Sequence, residues 1–531
     1  MKAKHWLAGF LALALVLFAG AGAVTAAVDP FFHYHTPNTD RYFYPIDNER
    51  SQNDGIAKYF EYDAVIAGSS LAANFRTSEL DALFGTHAVK LPAPGASFYE
   101  VNNTLETAFE AQPDLRLVVR SIDQHLLFYG ADRLRADLGD YPTYLYDRNP
   151  FNDYRYLFNT DVLFGRVVPM LLETREPGFA PGHTSFDDYS NTMEVYAGAF
   201  GLPEIQTMLR YTPGSVGQPW ELTEEARAGL QENISRNVVD LARAHPDTVF
   251  YCFFPPVSLG YWSDKRASGE LDMLLEADRI AAELMLDCDN IRLFDFSCRT
   301  DLISDVNQYR DLMHYGDWIN SLMLKWMHDG EYRLTKENVG AYYAARRAYY
   351  ESADYASLLT QERYHCDNYA AALLNEELTG VSPRPITQEE LLGGELRAAE
   401  LLPDPEHGGL ILSCTGTLGR SSETDLADFL RDVDYIGLRL SLPDTGTYSW
   451  LCFQGRNTAI YGEPAVCVYD AEGRCVSSLV QDFTELAGGW QHFAVDLRGV
   501  DGPVDVIFHG GYIDESGHGA SSFEFRDFML Y

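Results

Sequence analysis

The 531 residues suffice for two or more domains, and a 46% hydrophobic content predicts a largely globular chain. A formal net charge of −38, from 40 basic and 78 acidic residues, repels nucleic acid and argues against a duplex or RNA partner. Eight cysteines without C-x-x-C spacing argue against a zinc knuckle.

Lys2 and Lys4 precede 23 uncharged residues, Trp6 to Val28. At about 1.5 Å per residue this run can span a bilayer. Positive charge before it and Asp29 after it predict an inside N-terminus and an exported body. The run exceeds a usual signal core, which favours an uncleaved single-pass anchor over residues 1–30, in the cell membrane. Small residues at Thr25, Ala26 and Ala27 would suit a peptidase, which is the secreted alternative. In the juxtamembrane segment, 31–54, Phe31, Phe32, Tyr34, Tyr42, Phe43 and Tyr44 suit a membrane interface. His33 and His35 read as exposed polar residues, since no third metal ligand stands nearby.

Residues 55–330 alternate strand-like runs with amphipathic stretches. The runs are Ala64–Ala67, Ala88–Leu91, Leu115–Val119, Thr248–Phe254 and Ile291–Phe294. Tyr99–Ala111 and Ala226–Ala244 are helical in pattern. Such alternation predicts a parallel sheet with helices on both faces. An insertion near 130–221, rich in Tyr, Asp and Asn, either shapes a pocket or elaborates the surface.

Within this domain, Val65-Ile66-Ala67 stops at Gly68, followed by Ser69 and Ser70 and then a helical pattern. A serine there sits where open α/β sheets place ligands and near a helix N-terminus that favours negative charge. It could equally be a capping turn serine. Asp311 and His314 are three apart, so the carboxylate can hold one ring nitrogen and leave the other as a base. Ile319, Leu322, Met323 and Trp326 then form one apolar helix face.

Gly68-Ser69-Ser70, the glycine turn Pro94-Gly95-Ala96-Ser97 and Asp311-x-x-His314 occur in the order seen in SGNH/GDSL-type hydrolases, which this region resembles. With the anchor, the pattern is most similar to the D-alanyl-lipoteichoic acid biosynthesis branch. The resemblance implies a three-layer α/β/α, flavodoxin-like parallel sheet acting on acyl esters, without metal or cofactor. It implies Ser70 as nucleophile, His314 as base, Asp311 as its orienting acid, and the Ser70 and Gly95 N–H groups as oxyanion donors. The family's oxyanion asparagine is replaced here by Asp123. An ionised carboxylate repels an oxyanion, so Asp123 must be protonated, bind a substrate hydroxyl or amine, or be structural. Gln124 and His125 are substitute donors. Ser97, a rival nucleophile, lacks the strand-turn-helix placement of Ser70. Tyr261 and Trp262 could wall the pocket or simply pack.

Residues 331–385 read as a helical connector, Thr335 to Leu378, and a linker, Gly380 to Pro385. Residues 386–531 change to short alternating strands, which predict a β-sandwich. Trp490–Leu497 and Phe523–Phe528 loosely resemble carbohydrate-binding jelly rolls. Trp450, Tyr461 and Tyr512 are candidates for sugar stacking. Cys467 and Cys475 flank a turn at Glu472-Gly473 and either pair or stay reduced, while Cys252 reads as a buried hydrophobe.

The pattern therefore points to a cell-envelope serine esterase or O-acyltransferase, with a cell-surface polysaccharide or acylated glycan as partner. The alternative is a non-catalytic polysaccharide scaffold. A Ser70–His314 separation beyond one bridging water would favour the scaffold.

Overall fold

The computed structural model describes residues 2–135, 137, 141–187, 201, 204–361, 378, 382–405, 407–419, 426–443, 445–458, 464–478, 480–485, 489–500, 502–514 and 522–531. The chain falls into two compact units, Met1–Glu362 and Arg363–Tyr531.

In the first unit six strands form one sheet. They are β1 Ala64–Gly68, β2 Ala88–Pro92, β3 Leu117–Ser121, β4 Val249–Phe254, β5 Ile291–Asp295 and β6 Arg333–Leu334. Their spatial order is β2-β1-β3-β4-β5-β6. Five are parallel, and β6 closes the far edge antiparallel to β5. Every residue of β1, β2 and β3 is buried, as expected for parallel strands covered on both faces. The strand order reverses beside β1, so the crevice between the carboxyl ends of β1 and β3 is where an open α/β sheet takes a ligand. Helix α1, Lys2–Val28, is long and apolar enough to cross a membrane. Other helices that bear on the site are α2 Phe98–Ala111, α3 Leu259–Ser268, α4 Leu271–Leu286, α5 Asp317–Asp329 and α6 Val339–Ser352.

The residues after α1 differ from the sequence expectation. Phe31, Phe32, Tyr42 and Tyr44 are not at an interface but inside the core, together with Val65 and Val118. The buried Asp29 carboxylate fixes this entry. It accepts from the N–H groups of His33 (3.0 Å), Tyr34 (2.7 Å) and His35 (3.2 Å), and from the Tyr156 hydroxyl (2.7 Å). The His35 ring lies against the carbonyls of Thr36 and Ala26, and His33 against Asp153, so both imidazoles are engaged with oxygen.

The stretch expected as one connector helix stops at Ser352. Ala353 turns extended, and Asp354 caps a new turn by accepting from the Ala356 N–H. Helix α6 belongs to the first unit because Arg346 is buried between Asp278 of α4 and Asp295 at the end of β5, 3.0 Å from each. A buried guanidinium with two carboxylates is strongly position-specific, since each would be costly alone.

The second unit is an antiparallel sandwich. One sheet orders Glu395–Arg397, Gly437–Leu442, Val504–His509, Ala465–Tyr469 and Cys475–Ser477. The other orders Ala399–Pro403, Leu410–Thr415, Ser522–Leu530, Trp450–Asn457, Gln491–Asp496 and Val480–Glu485, with Arg384–Pro385 paired to Ser522–Leu530. Leu438, Val466, Val506, Leu451, Phe453, Phe493 and Phe525 fill the space between the sheets. Neither Cys467 nor Cys475 forms a disulfide among the described residues. An irregularity in register places Tyr469, not Cys467, opposite Cys475, so the two sulfurs are not cross-strand partners. Trp450 is buried with Arg498 4.8 Å over its ring. Trp490 is buried between Arg456 (4.4 Å) and Arg526 (3.9 Å). Trp450 therefore does not present a face for sugar stacking. Tyr461 and the Tyr512 side chain lie outside the described residues.

Candidate active site

The site begins where β1 ends. Gly68 has φ +148°, and a Cβ there would lie 2.2 Å from Ser121 Oγ, so only glycine allows β1 and β3 to approach this closely. Ser69 follows and caps the short turn Ser70–Ala72 by accepting from the Leu71 N–H. Its own hydroxyl donates to Asp123 Oδ2 at the end of β3. That bond turns Ser69 inward and leaves Ser70, the next residue, at the edge of the crevice.

His314 arrives from a loop 244 residues later. Tyr309 and Tyr315 pair across its base, and the Arg310 N–H donates to the His314 carbonyl. Inside the loop Asp311 Oδ1 accepts from the N–H groups of Met313 and His314, each at 2.7 Å. Asp311 Oδ2 lies 2.7 Å from His314 Nδ1. His314 Nε2 lies 2.8 Å from Ser70 Oγ. Burial acts to raise the Asp311 pKa, but hydrogen bonds from the His314 ring and from the two N–H groups outweigh it. The net pKa falls below the ordinary carboxylate value. An ionised Asp311 only accepts, so the Nδ1 facing it carries the proton and Nε2 is free to accept from Ser70.

Two residues overlooked in the sequence hold the halves together. The Tyr315 hydroxyl and the Asn320 amide of α5 both donate to the Leu71 carbonyl, each at 3.1 Å. Arg76 and Asp317 add an ion pair at 2.7 Å. Tyr315 adjoins the recognised histidine, but nothing in the local sequence reports its partner. Asn320 looks like any polar helix residue.

The remaining candidates fall in different places. Gly95 has φ +68° in a turn whose neighbour Ala93 donates to the Gly68 carbonyl, which joins that turn to the serine turn. Arg135 Nη1 donates to the Gly95 carbonyl at 2.8 Å. Asp123 is fully buried; one oxygen serves Ser69, and Oδ1 has no hydrogen-bond partner among the described residues. Gln124 points away, donating to the Pro255 carbonyl at 3.3 Å. His125 is held below its ordinary pKa, mainly by burial and against the pull of Asp123. Ser97 caps α2 in a reciprocal box with Glu100, which gives it a structural partner set. Trp262 is fully buried against Tyr350 and Arg346, each at 4.8 Å, and does not wall the site. Tyr261 does: it lines a cavity of about 530 Å³ with Asp264, Lys265, Arg210, Asp311 and His314. Arg210 comes from the insertion, whose end is pinned by Asp264 accepting from the Arg210 and Tyr211 N–H groups.

In the second unit Asp404, His407 and Asp527 bring potential metal-ligand atoms within 4.8 Å of one another. Arg526 already stands 3.5 Å from the buried Asp404, so a cation there would compete with a resident guanidinium.

No family model matches this chain, and no curated protein does. Among solved structures, a two-domain esterase active on acetylated mannans is 10% identical, covering 87% of this chain and 91% of that one, at a TM-score of 0.22. A family 6 carbohydrate-binding module from Clostridium cellulolyticum, in complex with xylose, is 12% identical, covering 28% of this chain and 96% of that one, at a TM-score of 0.18. A non-crystalline cellulose-specific carbohydrate-binding module is 12% identical, covering 24% of this chain and 79% of that one, at 0.16. With likenesses this slight, any functional reading rests on the site's own geometry.

Proposed function

We propose that the first unit is a serine-dependent esterase or O-acyltransferase acting on acylated glycans at the outer side of the cell membrane. The observation that carries this reading is the unbroken chain Ser70 Oγ, His314 Nε2, His314 Nδ1, Asp311 Oδ2, with contacts of 2.8 and 2.7 Å. Ser70 Oγ attacks the acyl carbonyl as its proton passes to His314 Nε2, and Asp311 stabilises the imidazolium. The Ser70 and Gly95 N–H groups are assigned to the oxyanion, a role worth about 3 kcal/mol per donor. The leaving hydroxyl takes its proton from Nε2. Water or a glycan hydroxyl then attacks acyl-Ser70 through the same base.

Asp123 is assigned a positioning role, because its Oδ2 accepts from Ser69 beside the nucleophile. Direct contact between Ser70 and His314 supports catalysis over the scaffold reading, which needs them apart. The second unit is assigned to polysaccharide. A cavity of about 390 Å³ beside Tyr469, with Arg431, Arg439, Ser441, Asp470 and Asp505, offers hydroxyl-bonding groups.

The test is acyl-ester hydrolysis by the purified full chain, using acetylated mannan or xylan and short p-nitrophenyl esters. Ser70→Ala and His314→Ala should each lower turnover by about 10³-fold or more. Equal slow rates for wild type and Ser70→Ala on all donors would remove the catalytic assignment.

A further inference from the structure

The aromatic residues that the sequence offers for a membrane surface are inside the core, yet another apolar set stands beside α1. Tyr154–Leu157, Thr160–Val162, Leu163–Val167 and Val168–Glu173 are consecutive short helical segments of the insertion. The first and third pack on α1. The Phe158 ring lies 5.6 Å from that of Phe18. A Cβ on Gly22 would come 3.1 Å from Phe158 Cε1, so the glycine lets the ring seat on the helix.

Inward, this segment buries Tyr156, Val162, Val167 and Met170. Outward, where a water-facing surface would be polar, it exposes Phe151 (88%), Tyr154 (57%), Phe164 (64%) and Leu172 (53%). Residues 151–172 carry two arginines, Arg155 and Arg166, against two carboxylates, Asp153 and Asp161, although the whole chain carries −38. The patch is thus spared the repulsion that an anionic lipid surface exerts on the rest of the chain.

Depth along α1 connects these facts. Phe18 lies ten residues before Val28, about 15 Å along the axis at about 1.5 Å per residue. The uncharged run is about 34 Å long against a hydrocarbon core of about 30 Å. If α1 spans the bilayer, Phe18 lies roughly 10 Å below the outer boundary of that core. Phe158, in contact with it, cannot then be in water.

We propose that residues 151–172 lie in the outer leaflet beside α1, with Phe151, Tyr154, Phe164 and Leu172 against lipid. The first unit is then held by two contacts rather than tethered by one helix, which limits its swing about α1. This rests on the reading of α1 as an uncleaved anchor.

The test places the photo-reactive residue p-benzoylphenylalanine at Phe10, Phe151, Phe164 or Val216 of the full chain. Val216 is 69% exposed elsewhere in the first unit. Each variant is reconstituted in vesicles of phosphatidylethanolamine and phosphatidylglycerol with radiolabelled acyl chains, then irradiated. Lipid adducts at Phe10, Phe151 and Phe164 should exceed those at Val216 by about tenfold. Labelling at Phe10, with Phe151 and Phe164 no higher than Val216, would overturn the proposal while the anchor stands. A silent Phe10 would remove the anchor, and the proposal with it. A cross-link between two chains at Phe164, in place of lipid adducts, would assign the patch to a second copy and overturn the proposal.

Discussion

Asp311→Asn exchanges one carboxylate oxygen for an amide and leaves the side-chain shape unchanged. In the native loop Oδ1 accepts from the Met313 and His314 N–H groups, and only Oδ2 meets the ring. The single amide oxygen of the variant stays with those two N–H donors, since turning it away would orphan both. Its NH₂ then faces His314 Nδ1 and can only donate. The ring proton moves to Nε2, where it meets the Ser70 hydroxyl and leaves that hydroxyl without a base. We expect kcat/KM at neutral pH to fall about 10⁴-fold, about 5.4 kcal/mol in the barrier. The loop's own hydrogen bonds survive, so the thermal midpoint at neutral pH should move by less than about 4 °C. Acid should separate the proteins in the other direction. The native Asp311 pKa lies below its ordinary 3.8. Its contribution to stability is therefore present above that value and lost as pH falls through the folded pKa, a loss the variant lacks. The assays are p-nitrophenyl acetate hydrolysis, labelling of Ser70 by a fluorophosphonate, and calorimetry between about pH 7 and about pH 3. A variant keeping more than about a tenth of native activity at neutral pH would refute the tautomer argument.

Asp123→Asn should stay within about threefold of native activity on neutral esters, because the amide oxygen can still accept from Ser69, whereas Asp123→Ala should lose about tenfold or more. A large gain on Asp123→Asn would instead place that side chain at the oxyanion. Arg346→Met leaves Asp278 and Asp295 buried without their cation, and should cost about 3–5 kcal/mol and lower the thermal midpoint by about 6 °C or more; a smaller shift would mean the two carboxylates find other partners. Trp490→Ala removes a ring held between two guanidinium groups and should destabilise the second unit by about 3–5 kcal/mol. Loss of polysaccharide retention without that unfolding would make Trp490 a contact residue after all.

The alternation of buried runs and amphipathic stretches was enough to foresee a parallel α/β sheet followed by an antiparallel sandwich, because both periods are local. The stop at Gly68 and the three-residue step from Asp311 to His314 were visible for the same reason: each concerns neighbours in the chain. What only the tertiary structure decided are the partners across long separations. Tyr315 and Asn320 reach the Leu71 carbonyl over more than 240 residues, and no pattern near either end reports it. Ser69, next to the recognised Ser70, and Asp123, itself singled out in the sequence, are tied to each other because β1 and β3 are neighbours in the sheet. Burial was equally out of reach. Phe31, Phe32 and Trp450 read as interface or sugar-stacking residues, and all are inside. An aromatic ring has the same chemistry in a core, on a glycan or in a lipid, and only the packing around it chooses among them.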